Sequence, residues 1–161
     1  MATTYISVNP RIWDEIRDVS AEARIVRLYI ATQPSRATEG LSSLPVRYVL
    51  ADTGLSREQV EAAIDELQGA GIVYWDAVNE LVFDPAALVT ANINKPDDNR
   101  IAGAVKVLRG LPPTHLEARL LEAAERSAPP LVAAIRQSIP DYGRRVNRER
   151  TGLDVLARPL V

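Results

Sequence analysis

The stretch that decides the fold is Leu55-Ser56-Arg57-Glu58-Gln59-Val60-Glu61-Ala62-Ala63-Ile64-Asp65-Glu66-Leu67-Gln68-Gly69-Ala70-Gly71-Ile72-Val73. Ser56 with Gln59 three residues on is a capping box, in which each side chain satisfies a backbone N–H that the first helical turn leaves orphaned. Val60, Ala63, Ile64 and Leu67 then recur at helical spacing and form one apolar face. Gly71 supplies the stop, because glycine adopts the left-handed backbone that ends helices. On the N-terminal side, residues 45–53 read as a second helix, with Pro45 harmless in its first turn and Gly54 closing it. Two helices therefore meet across the short turn Thr53-Gly54-Leu55.

Further upstream, Ser20 is an N-cap and residues 21–33 read as a helix stopped by Pro34. Ile25, Leu28, Tyr29 and Thr32 fall on one line of that helix, with Arg24 and Arg27 off it. Residues 40–45 are too short for a helix and suit a brief strand. Thr4 to Pro10 alternates apolar and polar residues and reads as a strand or extended arm, with Trp13 expected to anchor it to the core. Downstream, Ile72 to Trp75 and Leu81 to Phe83 flank a polar connector and predict a hairpin. Trp75 is expected to pack on the helix of residues 57–70, and Asn79 stands at the hairpin tip. The order of helix, brief strand, helix, tight turn, helix and hairpin is that of a winged helix-turn-helix.

Past Asp84-Pro85 the character changes. Asn92 to Asn99 is a polar connector, and three helical patterns follow over residues 99–109, 114–127 and 129–138, divided by Gly110 to Pro113, Ala128 to Pro130 and Pro140. The fold class expected is mainly α with a small β-hairpin. Residues 1–90 would form a winged helix-turn-helix domain, residues 91–140 a C-terminal helical region, and residues 141–161 a basic flexible tail.

Composition narrows the chemistry. The 161 residues contain no cysteine and one histidine, His115. That removes thiolate chemistry, iron–sulfur clusters and paired-histidine metal sites. His115 at a helix start reads as exposed or capping, and Asp97-Asp98 as a turn with an N-cap. No phosphate-binding G-x-x-x-x-G-K-[ST] loop occurs. The expectation is a protein without catalysis, metal or cofactor. No run approaches the roughly 18 apolar residues of a membrane span, and the N-terminus lacks a signal-peptide pattern, so no membrane partner and a cytoplasmic setting are expected.

The net charge of -2 conceals an asymmetry. Residues 1–90 hold 7 basic and 13 acidic side chains, whereas residues 91–161 hold 12 basic and 8 acidic. Phosphate contact is therefore expected towards the C-terminus, at Arg144, Arg145, Arg148 and Arg150. In the helix-turn-helix, the candidates are Arg47, Ser56, Arg57 and Gln59, with Asn79 at the wing. The outward face of the second helix carries Glu58, Glu61, Asp65 and Glu66 against Arg57 alone, which disfavours a phosphate surface.

Several short motifs resemble the N-terminal winged-helix region of bacteriophage and prophage replication initiation proteins, the replisome-organiser or DnaD-like group. They are Arg11-Ile12-Trp13-Asp14, Leu28 to Pro34, Gly40-Leu41 with Leu44-Pro45, Leu55-Ser56, Glu66-Leu67 and Ala70 to Asp76. Fainter similarity continues through Asn92 to Pro96 and Ala104 to Leu108. The resemblance implies a winged-helix protein that binds double-stranded DNA or recruits replication proteins, acting in the host cytoplasm if phage-encoded. Charge leaves a competing expectation open: an interaction module, dimeric or bound to replication or transcription proteins, whose acidic helix docks on a basic partner.

Overall fold

Ser20 sets the first long helix. Its hydroxyl oxygen accepts from the Ala23 N–H at 3.2 Å, and its own N–H and hydroxyl donate to Glu66 at 2.8 and 2.6 Å, so one capping residue also ties two helices together. The computed structural model describes residues 5–146. It contains α1 (Ile12–Glu15), α2 (Ala21–Thr32), β1 (Leu41–Ser43), α3 (Val46–Thr53), α4 (Arg57–Gly69), β2 (Tyr74–Asp76), β3 (Leu81–Phe83), α5 (Pro85–Ala91), α6 (Arg100–Gly110), α7 (Leu116–Ser127) and α8 (Pro129–Ser138). The architecture is mainly helical with one three-stranded antiparallel sheet in the order β1-β3-β2. The chain divides into two compact units between Asn92 and Ile93, two residues beyond the expected boundary at 90.

In the first unit α2, α3 and α4 enclose a core of Ala23, Val26, Ile30, Val46, Val49, Val60, Ala63, Ile64 and Leu67. At roughly 1.5–3 kcal/mol for each large aliphatic side chain fully buried, this cluster outweighs the local propensities. The sheet closes one side, with Phe83 of the central strand opposite both Leu41 and Tyr74. Val73 and Val82 join the core, and Trp75 lies half-buried against it with its backbone N–H donating to Gln68 Oε1 at 2.9 Å. Gly40 has to be glycine: φ is +82°, and a Cβ would stand 2.4 Å from the Asp84 carbonyl oxygen.

Several expectations need correction here. The buried face of α2 is Ala23, Val26, Arg27, Ile30 and Ala31, whereas Ile25 is exposed. The small side chains Ala23 and Ala31 allow close helix packing, so the face turns by about one residue, some 100°. Arg27, the apparent surface residue, is buried at 2% exposure between two carboxylates. Trp13 does not anchor the N-terminal arm; it is 59% exposed, and Ile12 and Ile16 are buried instead. Of the strand and the arm expected at the N-terminus, residues 5–9 do not form the strand: they lie outside the three-stranded sheet. Asp84 begins α5, which the sequence reading passed over, by accepting from Ala86 N–H at 3.1 Å ahead of Pro85.

In the second unit α8 packs on both α6 and α7. Ile101, Val105, Leu108, Leu116, Leu120, Leu131 and Ile135 are buried. His115 stands exposed at the N-cap position of α7, as expected, and the side-chain bond at this end comes from its neighbour: Thr114 Oγ1 accepts from the Leu116 N–H at 3.3 Å. Residues 141–146 belong to this packed unit: Tyr142 is buried. The remainder of the expected tail, 147–161, lies outside the described residues.

Candidate nucleic-acid interface

The N-terminus of α4 projects Ser56, Arg57, Glu58 and Gln59 outward. Ser56 Oγ accepts from the Gln59 N–H at 3.2 Å, and Gln59 Oε1 accepts from the Ser56 N–H at 2.9 Å. The capping box therefore occupies the acceptor oxygens of two of the candidate DNA-contacting side chains. Arg57 is exposed and lies 3.4 Å from Glu61 in an (i, i+4) pair. Such a pair contributes only about 0.3–0.5 kcal/mol, so Arg57 remains free to exchange partners.

The same helix face carries Glu58, Glu61 and Asp65, with Glu66 beside them on Ser20. Hydrogen bonds from the Ser20 hydroxyl and backbone N–H hold the Glu66 carboxyl below its ordinary range, so it stays charged. Arg47, on the exposed side of α3, stacks over the Tyr48 ring at 4.8 Å and donates through Nη2 to Tyr48 Oη at 3.2 Å.

The hairpin tip is a turn built on the buried carboxylate of Asp76. It accepts from the backbone N–H groups of Val78 and Asn79 at 3.1 Å and from Asn79 Nδ2 at 2.8 Å. Asn79 thus has a structural task in the turn. Val78 protrudes at 92% exposure, and residues 72–83 include no lysine or arginine. The geometry gives the hairpin no cation with which to approach a phosphate.

In the second unit Arg144 is exposed, but Arg145 is drawn inward. Its Nε donates to Glu117 Oε1 at 2.7 Å, and its guanidinium lies over the Tyr142 ring at 5.2 Å. Glu117, 1% exposed, also accepts from the Gly143 N–H at 2.7 Å. A carboxylate buried this deeply requires a charged partner, and Arg145 meets that need. Arg148 and Arg150 lie outside the described residues. The described candidate positions therefore divide between the two units, and of these candidates Arg47, Arg57 and Arg144 present an exposed cation.

The sequence reading did not single out the Arg27–Glu15–Asp84 network, although an arginine flanked by Val26 and Ile30 on an amphipathic helix was the available signal. Among the described residues no group of three or more histidine or acidic side chains could hold a metal ion. No described helix is long and apolar enough to cross a membrane. Comparison with family models, curated proteins and solved structures finds no match for the chain.

Proposed function

We propose that the first unit is a winged helix-turn-helix and that the protein is a non-catalytic DNA-binding protein or adaptor of phage-type DNA replication or its regulation. The observation that carries this reading is the arrangement of α3 and α4 across Gly54, whose φ is +73°, with the β2–β3 hairpin packed on α4. Helix-turn-helix proteins dock on duplex DNA with such a pair. The resemblance to phage replication initiators supports the same direction. A mobility-shift titration of the full chain on duplex DNA at low and physiological salt tests it. Binding that weakens steeply with salt is expected, and absence of binding at low salt overturns the reading.

A second reading is favoured by the acidic face of α4 and the cation-free hairpin: a protein-interaction module that docks on a basic protein or on a second copy. Light scattering with pull-down of replication and transcription proteins tests it. A monomer that captures DNA alone overturns it.

A further inference from the structure

We propose that the exposed face of α6, centred on Lys106 and Arg109, is the surface that meets the phosphate backbone of duplex DNA; this rests on the DNA-binding reading above and relocates its contact surface. Arg100-Ile101-Ala102-Gly103-Ala104-Val105-Lys106-Val107-Leu108-Arg109-Gly110 contains three cations and no acidic residue. Ile101, Ala104, Val105 and Leu108 are buried, which leaves Ala102, Gly103, Lys106, Val107 and Arg109 on the outer side. Lys106 and Arg109, three residues apart, are neighbours on the helix surface, with Cβ atoms about 5–6 Å apart. Two side chains at that spacing can reach neighbouring phosphates of one strand.

Both line a shallow groove of about 440 Å³ with Ala102, Ala134 and Ser138. Neither forms an ion pair with a carboxylate among the described residues. Arg109 Nη2 donates to the Ser138 carbonyl at 3.3 Å, a contact that aims the guanidinium without neutralising it. Arg17, Arg57, Arg100, Arg126, Arg136 and Arg145, by contrast, each pair with a carboxylate. Asp97 and Asp98 line the same groove; Arg100 pairs with Asp98, whose carboxyl it holds ionised with a pKa of about 2, and so offsets one of these two negative charges.

Gly103 points the same way. A mid-helix glycine is less favourable than alanine because it loses more backbone freedom on folding. A Cβ there would meet nothing within 4 Å, so the packing of this chain does not require the glycine. Its bare surface, one turn before Lys106, lets a partner's backbone approach closely.

Fluorescence anisotropy of a labelled duplex with the full chain, at about 50 and 200 mM salt, tests the proposal. In Lys106→Ala/Arg109→Ala, loss of two phosphate contacts lowers the salt slope by about 1.8, so affinity falls about tenfold less over this range and is lower at about 50 mM. Arg17→Ala/Arg126→Ala removes the same charge elsewhere and is expected to leave the slope unchanged; circular dichroism checks the fold of both. If wild type binds but Lys106→Ala/Arg109→Ala matches it, or if Arg47→Ala/Arg57→Ala is the variant that loses affinity, the inference is overturned and the DNA-binding reading stands. If wild type does not bind at low salt, the reading itself fails and the inference with it.

Discussion

Replacing Arg27 by methionine tests how the first unit is held together. Arg27 makes four charge-assisted hydrogen bonds: to Glu15 at 3.0 and 3.3 Å and to Asp84 at 3.0 and 3.2 Å. Methionine fills much of the same volume but strands two carboxylates. Glu15, whose side chain is 25% exposed, can turn to water, whereas Asp84 at 4% cannot. Removing one partner of a buried pair typically costs about 3–5 kcal/mol. A unit of this size has only about 5–13 kcal/mol in total, so the variant should lose about a quarter or more of its stability.

The double variant Arg27→Met/Asp84→Asn removes both charges while the amide oxygen can still accept from Ala86 N–H. It should lie within about 1–2 kcal/mol of wild type. Urea unfolding followed by tryptophan fluorescence is the assay, because both tryptophans, Trp13 and Trp75, belong to the first unit and report on it alone. The reasoning is refuted if Arg27→Met costs less than about 1 kcal/mol, or if the double variant loses the full sum of its two single changes.

Three further outcomes follow from individual contacts. Burial pushes the Glu39 carboxyl from 4.5 up to about 7, so the folded state keeps a proton that the unfolded chain releases above its ordinary range. This contribution is complete below pH 4.5 and lost as pH rises through about 7, and Glu39→Gln should exceed wild type by up to about 3 kcal/mol at pH 8 while converging with it in acid; a gap that does not widen between these pH values refutes it. Gly40→Ala should cost about 2–4 kcal/mol in the same urea assay, from the 2.4 Å approach to the Asp84 carbonyl and the positive φ. Glu117→Gln weakens the hold on Gly143 and Arg145; a loss of about 2 kcal/mol in that contact raises local opening about thirtyfold, which limited trypsin digestion should register as faster cleavage after Arg144 and Arg145.

The candidate interface was less legible than the fold. Ser56, Arg57 and Gln59 were found because a capping box has a fixed three-residue spacing, yet the same hydrogen bonds that make it recognisable occupy its acceptors. Arg145 was grouped with Arg144 from local charge alone. Its partner Glu117 is 28 residues away in sequence, and nothing near Arg145 marks it as an inward-facing side chain.

By itself the sequence determined the order of elements from Ala21 to Phe83, the ends of α2, α3 and α4, and the hairpin. Caps, glycine stops and hydrophobic period act within a few residues, so they can be read along the chain. Tertiary structure decided which face of α2 turns inward, that Arg27 is buried and that Trp13 is left outside. It also joined β1 to the hairpin as a sheet. Each of these depends on a distant partner: Asp84 meets Arg27 across 57 residues, and Phe83 meets Leu41 with α3, α4 and β2 lying between them in the chain. Burial of a charge is settled by where its counter-charge arrives, which local periodicity does not encode.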